Sequence, residues 1–153
     1  MNESQFSREI RKSLDRYGYF RKMIGGAFVV PGIPDILGCY KGKFIGIECK
    51  QIKRCPVHKS SLIWKDLFPT AQIENLTQIS ASGGLAYGFI ELAYLKPHQT
   101  LVLTIDSLLK CNTMTAEDLE GLLNKPMSGP TILTRGSGGV WNIEKLLNSH
   151  KLP

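Results

Sequence analysis

Two acids and a lysine stand at a spacing that one hairpin can gather: Pro34-Asp35, then Glu48-Cys49-Lys50 thirteen residues after the aspartate. Between them runs Ile36-Leu37-Gly38-Cys39-Tyr40-Lys41-Gly42-Lys43-Phe44-Ile45-Gly46-Ile47, two apolar strands joined at Lys41-Gly42. A two-residue turn there, with Gly42 supplying positive φ, opposes Tyr40 to Lys43, Gly38 to Ile45, Ile36 to Ile47 and Asp35 to Glu48. Side chains alternate along a strand, so Glu48 and Lys50 share one face. Ile45, Ile47 and Cys49 share the other and are expected in the core. Gly46 falls on the charged face and is expected to leave open space there.

Opposed residues bring their Cβ atoms to roughly 4.5–5.5 Å, and like charges so placed repel. A bound cation would offset that repulsion. Hard oxygen donors suit Mg²⁺, with Mn²⁺ able to substitute, and water and a substrate phosphate would complete the shell. The chemistry this favours is hydrolysis of a phosphodiester. That reaction needs an activated water, charge neutralisation at phosphorus and a stabilised leaving oxygen, all of which metal ions supply. A nearby lysine adds a donor and a point charge. No histidine base is required, and His58, His98 and His150 are expected to be ordinary surface residues.

At these residues the chain resembles the PD-(D/E)xK nuclease superfamily. Within it, the stretches DILGCYKGKFIGIECK and AQIENLTQISASGGLAYGFIEL look most like Holliday junction resolvases of the RecU and archaeal Hjc types. The start Gly32-Ile33-Pro34-Asp35 is shared with the small VRR-NUC nucleases, and a restriction-type enzyme is a further alternative. The resemblance covers about residues 3–110. It implies a restriction-endonuclease-like fold, with Asp35, Glu48 and the Cys49 backbone carbonyl on the metal. Lys50 would position or activate the attacking water, and Gln72 would orient the water or phosphate. It also implies an acid from the first helix as catalytic group and ligand. Glu9 is the choice, on the flank of the apolar stripe, with Glu3 as the alternative. The implied substrate is DNA, branched or four-way, cut with paired nicks by a homodimer. A non-catalytic DNA-binding module on a decayed nuclease fold is the reading from another class.

Charge distribution fits a polyanionic partner. Residues 1–65 carry thirteen Lys/Arg against five Asp/Glu, and residues 66–153 carry six against eight. The basic half is thus the half that holds the acids. Arg8, Arg11 and Lys12 on the first helix, and Lys53, Arg54, Lys59 and Lys65 after the hairpin, are assigned to DNA. Residues 51–69 are expected to form a mobile loop over the substrate, with Trp64 more suited to core or rim than to base stacking. No apolar run approaches the ~20 residues of a membrane span. Cys39, Cys49, Cys55 and Cys111 lack C-x-x-C pairing and read as reduced thiols of a cytoplasmic protein.

The elements that must position the acids follow from periodicity. A first helix is predicted over 3–17, with Phe6, Ile10, Leu14 and Tyr17 as its buried stripe. A strand is predicted within Tyr19–Val30, clearest at Phe28-Val29-Val30. A second helix spans Thr70–Ser80, packing Ile73, Leu76 and Ile79 inward and ending at Gly83-Gly84. Strands at Leu85–Leu92 and Thr100–Ile105 and a short helix from about Ser107 follow. Thr115–Leu123 is a helix capped by Thr115. Thr131–Thr134 is expected to pair with Val140–Ile143 across Arg135-Gly136-Ser137-Gly138-Gly139. The expected architecture is α/β: one domain over 1–153, a mixed sheet flanked by helices, with a C-terminal extension over 112–153.

Overall fold

Residues 2–24, 31–55, 67–110, 113–124 and 131–149 of the computed structural model are described. The expected strand at Phe28–Val30, together with Trp64, Lys59, Lys65, His58, His150 and Cys111, lies outside them. Six strands form one mixed sheet in the order of the chain: β1 (Tyr19–Lys22), β2 (Ile36–Tyr40), β3 (Lys43–Ile52), β4 (Leu85–Leu92), β5 (Gln99–Leu103) and β6 (Ile132–Thr134). All neighbours are antiparallel except β3 and β4, whose parallel pairing is reached through helix α2 (Thr70–Ala81). The fold is α/β.

The hairpin takes the register its sequence dictates. Tyr40 faces Lys43, Gly38 faces Ile45 and Ile36 faces Ile47. Both turn residues have positive φ, Lys41 at 46° and Gly42 at 80°, the backbone of the type I′ turns that match strand twist. β2 ends at Ile36, whereas β3 runs on to Ile52. Among the described residues, the second half of β3 therefore keeps β4 on one side and has no strand on the other.

Both faces of the sheet are covered. On one, Ile45, Ile47, Cys49, Tyr87, Phe89, Val102 and Leu133 meet α1 (Glu3–Leu14) through Phe6, Ile10 and Leu14. α5 (Glu144–Ser149) adds Leu146 and Leu147, and Trp141 packs edge-on to Phe6. On the other face, Ala86, Ile90, Leu101, Leu103 and Ile132 meet Phe68 and α2, with α3 (Ile105–Lys110) and α4 (Ala116–Asn124) beyond. Burial on both sides is what a parallel pair requires, and β4 is buried from Ala86 to Leu92.

Several expectations change. α1 stops at Leu14, because Asp15 and Tyr17 begin a turn. Tyr17 is partly exposed and donates to Glu144 Oε1 at 2.5 Å. The strand after α1 is Tyr19–Lys22, set by antiparallel pairing with Ile36–Cys39. β3 extends two residues into the expected loop, to Ile52. Gly46 leaves no open space: a Cβ there would lie 2.6 Å from Ile79 Cδ1, so α2 seats on the strand through this glycine. Ile132–Thr134 pairs with β5. Its link to the next stretch includes one bridge, Arg135 to Trp141, with Thr134 N–H donating to Asn142 Oδ1 at 2.7 Å and Asn142 N–H donating to the Thr134 carbonyl at 3.3 Å. Thr115 caps α4 as expected, exchanging hydrogen bonds with Asp118. The C-terminal stretch completes the core, since Leu133, Trp141 and Ile143 are buried with α1.

Close packing of β1 on β2 depends on Gly38. A Cβ there would lie 2.4 Å from the Tyr19 carbonyl oxygen and 2.3 Å from Phe20 Cδ1. Backbone cannot yield cheaply, so Gly38→Ala is expected to cost about 1–3 kcal/mol. Urea unfolding followed by circular dichroism would read this as a lower midpoint with an unchanged slope.

Candidate active site

The early end of β2 leaves backbone donors on β3 to be satisfied, and acidic side chains do it. Cys49 N–H donates to Asp35 Oδ2 at 2.8 Å. The Gln51 N–H, two residues on and pointing the same way, donates to the Glu3 carboxylate. A strand residue presents its N–H and C=O to the same side, so the Cys49 carbonyl also faces Asp35. Asp35 is held in turn by its own carbonyl, which accepts from Met23 N–H at 2.7 Å just past β1. Pro34, buried before it, fixes the entry.

Glu48 comes from the strand's other flank and is only 3 % exposed. Its Oε1 lies 3.7 Å from Lys50 Nζ, and its Oε2 is buried with no hydrogen-bond partner. Burial pushes the Glu48 carboxyl up to about 8, and the Asp35 carboxylate beside it pushes the same way, with Lys50 pulling against both. The Glu48 and Asp35 side chains also share a hydrogen bond, which adds to the rise. Lys50 Nζ also stands 5.8 Å over the Phe68 ring.

Glu3 closes the arrangement from the start of α1. The helix begins there because Asn2 Oδ1 accepts from Gln5 N–H at 2.8 Å. Burial raises the Glu3 carboxyl above its usual value. Asp35 adds to the rise, while Lys50, the Gln51 N–H and Lys53 oppose it. Glu3, Ser4, Ser7, Lys22 and Asp35 line a pocket of about 350 Å³. Lys22 Nζ donates to Ser4 Oγ at 2.7 Å.

Glu9 is not in this group, which corrects the choice made from helix periodicity. Arg135 grips its carboxylate through two bonds, Nε to Oε1 at 2.9 Å and Nη2 to Oε2 at 3.0 Å, and Trp141 Nε1 adds a third at 3.2 Å. Burial alone would raise the Glu9 carboxyl, but these bonds hold it below the usual range. The partners lie more than 120 residues away in sequence, so no local pattern reveals them. Glu3, kept as the alternative, is the first-helix acid that lines the pocket with Asp35. Lys22 was missed, because only the register of β1 against Ile36 brings it there. His98 is half-buried, with Nδ1 3.3 Å from Glu91 Oε2, and is not an ordinary surface histidine.

Gln72 lies in the first turn of α2. Counting back from Ile79 over Gly46, seven helical residues span about 10.5 Å and three strand residues about 10 Å. Gln72 is thus level with Glu48–Lys50, and its buried Oε1 has no partner among the described residues. Of the cations assigned to DNA, Lys53 stands close enough to influence Glu3, and Arg54 is exposed after β3. Arg11 is paired with Asp15 at 3.2 Å. Arg8 and Lys12 lie on the opposite flank of α1 from the pocket.

Among the described residues, no group of three or more His, Cys, Asp or Glu side chains forms a metal cage. Asp35 and Glu48 instead offer two neighbouring carboxyls, Glu48 buried and Asp35 lining the open pocket. Mg²⁺ is commonly held that way, keeping waters and substrate phosphate as its other ligands. The residues present therefore fit such an ion.

No protein-family model matches the chain, and no curated protein does. Among solved structures, the chain is similar to Hjc, a Holliday junction resolvase of the archaeal hyperthermophile Archaeoglobus fulgidus. The identity is 21 %, over 67 % of this chain and 77 % of that one, with a TM-score of 0.48.

The raised Glu48 pKa has a sign that can be checked. The folded protein binds a proton that the unfolded chain, with an ordinary carboxyl near 4.5, releases between about pH 4.5 and 8. Stability of the metal-free protein therefore falls as pH rises through that window. Thermal melts in chelator at pH 5.5 and pH 8.5 should show this fall, and Glu48→Gln should largely abolish it. Equal pH dependence in both proteins would rule out Glu48 as its source.

Proposed function

We propose that this chain is a metal-dependent endonuclease that hydrolyses DNA phosphodiesters at the Asp35–Glu48–Lys50 site. The observation that carries this reading is the buried Glu48 carboxyl, with one oxygen unpartnered among the described residues, set against Asp35 beside the stretch of β3 that β2 does not reach. Such a pair is costly in itself and useful to a cation. Mg²⁺ bound to Asp35, Glu48 and the Cys49 carbonyl would supply Lewis acidity and a nucleophilic water near neutral pH.

The chain's own groups account for the rest. The Cys49 N–H fixes Asp35 in one rotamer. Lys50, anchored on a strand beside Glu48, presents a cation where charge develops on the phosphoryl oxygens. Gln72 offers an unpartnered amide oxygen to orient a water. Glu3 adds a third acid from the side, as the first-helix group in place of Glu9. Lys22 and Lys53 flank the pocket and suit backbone phosphates.

Within this reading the substrate is a branched DNA, most specifically a four-way junction, cut by paired nicks. The support is the RecU- and Hjc-like middle of the sequence. Opposed nicks call for two sites, hence a pair of chains. A non-catalytic DNA-binding module is the second reading. Its support is the commitment of Glu9 to Arg135, which removes one acid from the expected set.

The test is cleavage of a labelled four-way junction beside duplex, flap and single-stranded DNA, with and without Mg²⁺. Paired, Mg²⁺-dependent nicks in the junction alone, lost in Asp35→Asn, are the expected result. Cleavage of other forms keeps the nuclease and discards the junction. Binding without cleavage, in Mg²⁺ and in Mn²⁺, selects the binding module.

The two first-helix acids separate cleanly by variant. Glu3→Gln is expected to lower the cleavage rate at least tenfold at unchanged melting temperature. Glu9→Gln is expected to lower stability by about 1–3 kcal/mol through the stranded Arg135, with cleavage retained in the folded fraction.

A further inference from the structure

We propose that the groove between the outer flank of α1 and the glycine turn at Ser137–Gly139 is a second site for a nucleic-acid backbone, holding a segment other than the one being cut. The proposal takes the kind of polyanion from the nuclease reading and everything else from the groove. Gln5, Arg8, Glu9, Lys12, Ser13 and Arg16 form one wall, with Gly138, Gly139 and Val140 opposite, around about 420 Å³. Arg8 and Lys12 stand one turn apart on α1 and so project from one side, and Arg16, in the turn that follows the helix, lines the same groove.

Arg11 and Arg21 both pair with Asp15. Among the described residues Arg8, Lys12 and Arg16 make no ion pair, and like charges one turn apart weaken a helix. The one acid in the groove, Glu9, is neutralised by the bidentate Arg135. The groove therefore carries three uncompensated positive charges.

The opposite wall is shaped to leave room. Gly139 has φ of 76°, and a Cβ on it would lie 2.8 Å from the Glu9 carboxyl. Glycine thus lets the turn close against the helix, where Arg135 and the Trp141 N–H, which donates to Ser13 Oγ at 3.0 Å, hold it. Among the described residues, Val140 alone brings a side chain to that wall. A polyanion backbone can approach such a surface closely.

The position gives the site its meaning. Glu3, Ser4 and Ser7 face the cleavage pocket, whereas Gln5, Arg8 and Lys12 face the groove, so α1 stands between the two. A branched nucleic acid offers a second arm to occupy the groove while the first lies in the pocket.

The test is binding without catalysis. Fluorescence anisotropy in chelator would compare a four-way junction across a salt series for the full chain and its variants. Arg8→Ala/Lys12→Ala/Arg16→Ala is expected to lower the slope of log affinity against log salt by about 2.7, roughly 0.9 for each phosphate no longer neutralised. Val140→Glu, which removes no cation, is expected to weaken junction binding at least tenfold. Melting temperatures should stay unchanged, since these side chains are exposed. Lys41→Ala/Lys43→Ala at the hairpin tip is the control and should bind nearly as the parent does. An unchanged slope in the triple variant, or an equal loss in the control, would overturn the proposal. If the protein cleaves no DNA yet the triple variant still loses its slope, the groove stands and the nuclease reading falls.

Discussion

The site depends on a mismatch in strand length. β2 begins only at Ile36 while β3 continues to Ile52, so one edge of β3 offers N–H groups that no strand among the described residues accepts. Buried backbone donors must be satisfied. Here the acceptors are carboxylates, Asp35 for Cys49 and Glu3 for Gln51. The same hydrogen bonds that complete the sheet therefore bring two acids beside Glu48. Acids gathered by backbone donors are held more firmly than acids gathered by other side chains, because strand geometry fixes the donors.

Packing on both faces protects this arrangement. Cys49 points into the core below, and α2 lies above with Ile79 against Gly46. Glu48, two residues on from Gly46, is shielded enough for its carboxyl to prefer the neutral form near pH 7. A more exposed glutamate would be ionised without effort and would have less need of a cation. The helix that hides Glu48 also brings Gln72 level with it, so burial and site assembly share one cause.

The hairpin was legible in the sequence because its determinants are local. A Lys-Gly turn sets the register, alternation sets the faces, and the register then places Asp35 beside Glu48. Leu85–Leu92 and Thr70–Ser80 were legible for similar reasons of apolar patterning. What failed was set by distant partners. Helical periodicity gives Glu9 and Glu3 comparable standing, and only Arg135 and Trp141, brought round by the last strand, decide between them. The Ile132–Thr134 stretch carries its own strand pattern, but its partner is β5 because that edge was vacant. A neighbouring hairpin would have left both the edge and the core open.

This division has a consequence for how α1 works. The helix is anchored at two places by different means: Glu3 on the β3 edge, and Glu9 on Arg135 with Ser13 on the Trp141 N–H. Between these anchors the buried stripe of Phe6, Ile10 and Leu14 fixes its rotation. Once rotation is fixed, Glu3 faces the pocket, while Arg8 and Lys12 fall on the outer flank, where the one acid, Glu9, is already held by Arg135. The separation of acidic pocket from basic groove therefore follows from how α1 is held, and the glycines at 138 and 139 keep that flank open.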